Sequence, residues 1–257
     1  MSFTLQILGA SCAVPNPDSA TSGYLLCTPT TYVLLECGHG TVGKLLRFGS
    51  VADLNAVVVS HMHPDHCLDL VALRNYVYVH KLPRIPLYVP SNGPSTLHGL
   101  ALALTLGDGY FEVAFDVRTY GPESPVDVGD LRFDAVRANH NTVANALRIV
   151  DGSDRSLVFS SDTGPFNGLF ELADGCDLLL IEATEPTSLS GPRWHMAPGD
   201  VAEVISRTTP SRTVLTHYAA EHANGILARV RAALPPGVVL GDTVSLAVEG
   251  ERYVIEH

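Results

Sequence analysis

The stretch VVVSHMHPDHCLDL, Val57 to Leu70, places His61, His63, Asp65 and His66 within six residues, directly after a run of valines. A buried strand running into a loop would account for the valines, and a lone histidine there would be an ordinary polar residue. Three histidines and an aspartate at this spacing point to metal chemistry. In an extended chain alternate side chains share a face, so both the His61 and the His63 imidazoles can reach one metal ion. Pro64 and Asp65 turn the chain, Asp65 falls near the start of a helix expected from about Leu68, and His66 projects toward a second position. Two adjoining metal pockets are expected.

Two divalent ions ~3.5–4 Å apart need further ligands, among them a bridging carboxylate. Three isolated candidates follow. His140 closes LRFDAVRANH, Asp162 closes SLVFSSD and His217 closes RTVLTHY. Each strand-like run thus delivers one ligand-type side chain at its C-terminal edge, where loops build active sites.

With 257 residues, 46% of them apolar, the chain can bury a substantial core. No run approaches ~18 uninterrupted apolar residues, so no membrane span is expected. The N-terminus, MSFTLQILGASCAV, has no basic region and runs straight into strand-like alternation, unlike a secretory signal. Five scattered cysteines, none in a CxxC pair, suit reduced thiols in a cytoplasmic protein. The formal charge of −11, from 16 basic and 27 acidic residues, weighs against a long nucleic acid, whose phosphates call for a basic surface. It leaves room for a small ester held by metal ions.

No low-complexity tract or linker stands out, and residues 1–257 read as a single domain. Strand-like runs are FTLQILG, YLLCT, TYVLLEC, AVVVS, IPLYVP, LRFDAVRA, SLVFSSD, DLLLIEAT, RTVLTHY and VSLAVEG. Helical patterns are LDLVALRNYVYVH, PSTLHGLALALTL, GPFNGLFELADG, APGDVAEVISRTT and EHANGILARVRAAL. Strands followed by mixed strand–helix units suit two packed sheets with helices outside, a four-layer αββα sandwich. Periodicity alone accommodates a doubly wound parallel sheet equally well.

HMHPDH matches the HxHxDH signature of the metallo-β-lactamase superfamily. ANH at His140, FSSDT at Asp162 and LTHY at His217 match its later motifs. ILGASCAVPNPDSATSGYLL, LLECGHGT, IEAT and WHMAPGDVAEVI further resemble the ribonuclease Z-like branch, so the resemblance covers nearly the whole chain. It implies that His61, His63 and His140 hold one metal, that Asp65, His66 and His217 hold the other, and that Asp162 bridges. Zinc suits such ligands, and manganese or iron would fit the mixed shell too. By the same resemblance Asp65 doubles as the residue that orients or deprotonates a metal-bridging hydroxide. His195, with Glu182 orienting it, protonates the leaving group or stabilises charge.

Three departures from that branch stand in the sequence. Only about twenty residues separate His140 from Asp162, and NALRIVDGSDRSLVFSSD reads as a plain hairpin where ribonuclease Z proper has a tRNA-gripping arm. Ile181 stands where the branch usually has a histidine before EAT. The D-x-G-x-G turn reads Glu36-Cys37-Gly38-His39-Gly40, with His39 placed to touch substrate or simply to lie exposed. Cys67 is expected as a small buried residue rather than a ligand. Trp194 is expected either to stack on substrate or to anchor its loop. No role attaches to His80, His98, His222 or His257.

Armless members of this branch resemble the class II cyclic-nucleotide phosphodiesterases. The leading expectation is therefore a phosphodiesterase acting on a small phosphodiester such as a cyclic nucleotide. Thioester or lactone hydrolysis is the alternative, because the same nucleophile attacks either electrophile. A tRNA 3′-processing endoribonuclease and a metal-free scaffold are disfavoured. Relatives in this branch are commonly dimers, which leaves a homodimer open.

Overall fold

Apolar residues occupy both faces of most strands, so the strands require cover on both sides. The computed structural model describes residues 2–187, 193–235 and 243–257. The strands are β1 (Phe3–Ser11), β2 (Ala20–Thr21), β3 (Gly23–Cys27), β4 (Tyr32–Leu35), β5 (Ala56–Val58), β6 (Ile85–Val89), β7 (Phe115–Thr119), β8 (Val126–Val128), β9 (Leu131–Arg137), β10 (Asn145–Asp151), β11 (Ser156–Phe159), β12 (Leu178–Glu182), β13 (Arg212–Thr216), β14 (Val244–Leu246) and β15 (Arg252–Ile255). The helices are α1 (Thr41–Phe48), α2 (Pro64–Cys67), α3 (Leu70–Val79), α4 (Gly93–Ala103), α5 (Asn167–Ala173), α6 (Pro198–Thr208) and α7 (Ala223–Ala233).

Among the described residues the strands form two sheets. One has the order β15-β1-β3-β4-β5-β6-β7, with β2 beside β1, and the other the order β14-β13-β12-β11-β10-β9-β8. Each sheet is antiparallel in one half and parallel in the other: β4 to β7 run parallel, as do β11 to β14. Phe3, Leu5, Ile7, Tyr24, Leu26 and Val58 from the first sheet meet Phe133, Ile149 and Phe159 from the second in one buried cluster. On its other face the first sheet packs Leu8, Leu25, Leu34 and Val57 against Leu45 of α1, Leu73 and Val77 of α3 and Leu97 of α4. Leu172, Val204 and Ile226 bring α5, α6 and α7 onto the second sheet. The architecture is the four-layer αββα sandwich, and the doubly wound alternative is set aside. The valine run is now explained: Val57 and Val59 serve one cluster and Val58 the other.

Each buried large apolar side chain contributes about 1.5–3 kcal/mol, and the two sheets are also tied directly. The Tyr24 ring lies 5.5 Å from that of Phe159, and its hydroxyl is 2.6 Å from Thr216 Oγ1. This rigid base carries left-handed backbone at three non-glycine residues beyond strand ends: Glu36 (φ 63), Ser161 (φ 55) and His217 (φ 55). Such residues cost roughly 1–3 kcal/mol each and persist where packing over-determines them. All three lie at one edge of the sandwich, beside the histidine cluster.

Some elements differ from expectation. The helix expected from about Leu68 begins earlier, as the single turn α2 containing Asp65 and His66, then breaks and restarts as α3. The break has a cause: the Asp69 amide donates to Cys37 O (3.0 Å), while its carboxylate accepts from the Val42 amide (2.9 Å) and so anchors the first turn of α1. Helix α1 and strands β2, β7, β8 and β15 were not anticipated. They are short, and TVGKLLRF and FDVRT dilute their apolar pattern with glycine or charge.

Candidate metal centre

The cluster sits where β5 ends between β4 and β6. The Val59 amide still donates to Tyr88 O (2.9 Å), and the Ser60 amide turns to Glu36 Oε1 (2.6 Å). His61 and His63 follow in extended chain, because a residue before proline is held out of the helical region. His63 has φ −69 and ψ 150 and caps α2, whose first residue is Pro64. The helical turn then aims Asp65 and His66 at the opposite sheet. From there come His140, in the β9–β10 connection, Asp162, beyond β11, and His217, directly after β13.

Side-chain atoms of His61, His63, His140 and Asp162 lie within 4.8 Å of one another, and so do those of Asp65, His66, Asp162 and His217. His63 Nδ1 is 3.2 Å from both His61 Nε2 and His140 Nε2, and Asp162 Oδ2 is 3.7 Å from His61 Nε2. In the second group, Asp65 Oδ2 is 3.0 Å from His217 Nε2 and 3.6 Å from His66 Nε2. Asp162 reaches the same group, 3.3 Å to His66 Nε2 and 3.4 Å to His217 Nε2. Donors ~2.1 Å from a tetrahedral ion stand roughly 3.4 Å apart, and the separations given above, from 3.0 to 3.7 Å, bracket that value.

Charge and hydrogen bonding fit cations at this place. Burial, with His66 close by, keeps His61 well below the ordinary imidazole range, and burial lowers His63 and His140 too, so these rings are neutral donors. Against burial, His217, His66 and His61 hold Asp162 well below the carboxylate range. Burial likewise opposes ionisation of Asp65, yet the His217 hydrogen bond and His66 push it down to about 2. Burial disfavours a charged His66, but Asp162 and Glu36 raise it well above its ordinary value. Ionised buried carboxylates thus demand positive charge; a protonated His66 supplies part of it, and divalent cations supply it fully. His66 Nε2 and Asp162 Oδ1 are moreover buried without a hydrogen-bond partner. The two atoms face each other at 3.3 Å, and coordination to a cation would satisfy both.

His195 stands beside these groups and belongs to neither. Its Nδ1 is 3.0 Å from Glu182 Oε1 and 4.0 Å from Asp162 Oδ2, and its ring stacks on that of His217 with centroids 5.7 Å apart. Burial opposes its charge, yet the hydrogen bond and charge of Glu182 push it up to about 9.

A family model described as "Beta-lactamase superfamily domain" matches residues 31–218. The chain belongs to the metallo-β-lactamase superfamily. Protein ML1173 of Mycobacterium leprae is 35% identical over 83% of this chain and 76% of its own length. The ribonuclease Z of Natronomonas pharaonis is 25% identical over 87% of this chain and 89% of that one. Among solved structures, the metallo-β-lactamase fold protein YhfI of Bacillus subtilis superposes with a TM-score of 0.83 at 21% identity, covering 98% of this chain and all of that one. A diphosphatase of the PhnP family superposes with a TM-score of 0.75 at 18% identity, covering 99% and 98%. The chain is a metallo-hydrolase of the superfamily, whose members typically bind divalent metals.

As in any such centre, the outward-facing ring nitrogens matter as much as the inward ones. His66 Nδ1 donates to Glu36 Oε2 (2.8 Å), His140 Nδ1 to Trp194 O (3.0 Å) and His217 Nδ1 to Thr184 Oγ1 (2.7 Å). With cations bound, each bond would favour the tautomer whose Nε2 lone pair faces inward. His61 Nδ1 meets Ser60 Oγ (3.1 Å). Glu182 is fully engaged: it accepts from the Thr163 and Met196 amides (2.7 and 3.2 Å) and from Thr184 Oγ1 (2.6 Å) besides His195. It holds His195 in place rather than facing a substrate.

Glu36 and Thr184 escaped sequence reasoning as partners of the histidines, although both lie in motifs it singled out, ECGHG and IEAT. Cys67 is buried with its thiol pushed up to about 12 by burial, and the thiol contacts Met62 O (3.6 Å). His39 is half-buried rather than exposed, its Nδ1 3.5 Å from Thr21 Oγ1. Trp194 meets His140 through its carbonyl, and the residue as a whole is 41% exposed. His80, His98, His222 and His257 lie in helical or terminal segments, and among the described residues none of them joins a candidate metal group.

Thr184 is a single hydroxyl joining Glu182 to His217. Replacing it with valine keeps the shape but removes the acceptor for His217 Nδ1, and loss of such an outer partner typically costs 10–100-fold in metal affinity or activity. Thr184→Val should weaken metal retention by about that factor in a competitive chelator titration, and Thr184→Ser should restore it. Wild-type retention in Thr184→Val would show that the link is dispensable.

Proposed function

We propose that this chain is a dinuclear metal-dependent phosphodiesterase for small phosphodiesters, of which a cyclic nucleotide is the natural example. His61, His63 and His140 would hold one ion and Asp65, His66 and His217 the other, with Asp162 shared between the two sets; zinc suits this donor set, with manganese or iron as alternatives. When bound, the ions supply an activated water near neutral pH and neutralise charge on the ester oxygens. Asp65 Oδ2 lies 3.0 Å from His217 Nε2 beside the proposed ion, and its other oxygen orients the attacking water and accepts its proton. Asp162 fixes the spacing of the two donor sets. His195, held by Glu182, protonates the oxygen of the departing alcohol, a contribution of about 10²–10⁴ in rate for a general acid.

The observation that carries the small-substrate reading is the hairpin β10–β11. Val150 pairs with Ser156 across a tight connection, so this wall carries no arm for a large partner. The charge of −11 supports the same reading. The relatives named ribonuclease Z and PhnP-family diphosphatase support phosphoester chemistry on this fold. The five cysteines are free and buried, which supports a reducing, cytoplasmic setting, and the core shared between both sheets supports a single domain over residues 1–257. No helix among the described residues is long and apolar enough to cross a membrane.

A panel of bis(p-nitrophenyl) phosphate, cyclic AMP, an acyl-CoA and a lactone, offered to the metal-loaded protein, tests the proposal. Preferential turnover of the phosphodiesters is expected, and preferential turnover of either carbonyl substrate would replace the proposal with the thioester or lactone alternative. Precursor tRNA should be cleaved much less efficiently than the small diesters at physiological salt, since phosphate contacts dominate the holding of a polyanion. Efficient, site-specific tRNA cleavage would contradict this.

A further inference from the structure

The edge of the sandwich that carries the candidate donors continues into a second recess. β5, which leads into His61, is followed in its sheet by β6 and then β7, both parallel to it, so their ends lie on the same edge. In the facing sheet β10 lies next to β11, and its first residue, Asn145, pairs with Arg137 at the end of β9. Between these strand ends lies a cavity of about 350 Å³ whose lining includes Ser91, Tyr120, Glu123, Arg137, Val143 and Asn145. Neighbouring strands stand ~4.8 Å apart, so the cavity is one to two strand spacings along the edge from His61. A direct link joins the two places: the Asn145 amide donates to Ser60 O (3.2 Å), and Ser60 Oγ is 3.1 Å from His61 Nδ1. Val143 lies in the same connection as His140, so one loop borders both.

The lining is selective in its chemistry. Arg137 is exposed, and among the described residues its guanidinium has no ion-pair or hydrogen-bond partner. Glu123 adds a carboxylate to the same wall, which disfavours a free anion as the occupant. A donor fork and an acceptor beside apolar surface from Tyr120 and Val143 suit a planar heterocycle that offers both acceptors and N–H donors, as nucleobase edges do. The volume is at the small end of ligand sites and matches a nucleoside rather than a polymer.

We infer that this cavity is the subsite for the nucleoside part of the substrate, with Arg137 and Glu123 reading the base while the phosphodiester lies at the metal centre. The inference rests on the phosphodiesterase reading and narrows its substrate class to nucleotide esters.

Two esters with the same leaving group separate the cavity from the chemistry: adenosine 5′-(p-nitrophenyl) phosphate and bis(p-nitrophenyl) phosphate. The zinc-loaded wild-type protein should prefer the nucleoside ester in kcat/KM. Arg137→Ala, and Val143→Trp, which fills the recess, should each lower the ratio of the two kcat/KM values by about tenfold or more, through KM. An unchanged ratio in both variants would overturn the inference. Calorimetric binding of adenosine 5′-monophosphate gives a readout independent of turnover. If the wild type hydrolyses neither ester, the phosphodiesterase reading fails; weaker nucleotide binding in Arg137→Ala would still support the cavity, and equal or absent binding would overturn it.

Discussion

Replacing Asp162 with alanine should cause the largest loss of any single substitution in the site. Its two oxygens face both candidate donor sets, Oδ2 toward His61 (3.7 Å) and His217 (3.4 Å), Oδ1 toward His66 (3.3 Å). Among the described residues no other side chain belongs to both groups. Outer partners of metal ligands typically cost 10–100-fold when removed, so a shared inner carboxylate should cost more than about 100-fold in turnover. Elemental analysis should find about two ions in the wild type and at most one in the variant, and chelation should abolish wild-type activity. His217→Ala should leave the group of His61, His63 and His140 intact and still able to hold an ion. An Asp162→Ala protein with two ions and wild-type turnover would refute the bridging assignment. Absence of transition metal from the wild type would refute the dinuclear reading altogether.

The reason this centre could be read from HMHPDH is that its geometry is local. A strand end, a proline turn and one helical turn fix four side chains without help from the rest of the chain. The distant candidates were legible for a related reason: each follows an apolar run, and β9, β11 and β13 run in one direction and end at one edge. What escaped is what tertiary packing decides. Nothing in LLECGHGT announces that Glu36 will reach across 30 positions to His66 and grip the Ser60 amide as well. Its left-handed backbone, shared with Ser161 and His217, is not a propensity of these residue types. Thr184 gave no signal beyond its place after Glu182, because a threonine hydroxyl acquires a role only from the two partners that packing supplies. The missed strands β7 and β8 are short and partly polar, so burial by neighbours rather than local pattern makes them strands.

His195 allows the sharpest separation of chemistry from metal binding. It lies outside both donor groups, yet Glu182 holds its Nδ1 at 3.0 Å and the ring packs on His217 and His140 at centroid distances of 5.7 and 5.2 Å. Among the described residues its Nε2 makes no hydrogen bond, which leaves that nitrogen for a departing oxygen. His195→Ala should therefore keep both ions and the fold, since no donor and no core residue is lost. Turnover of an unactivated diester such as cyclic AMP should nonetheless fall by about 10²–10⁴. With p-nitrophenolate as the leaving group, little protonation is needed, and the loss should shrink toward wild type. Glu182→Gln should reproduce part of this pattern by leaving the imidazole without its carboxylate. The measurements are metal content and kcat on both ester types for each variant. Equal losses on both esters would mean that His195 stabilises charge on the phosphoryl group rather than protonating the leaving group. Wild-type rates on both would remove it from the mechanism, and loss of metal would show that the two donor groups have been drawn in the wrong place.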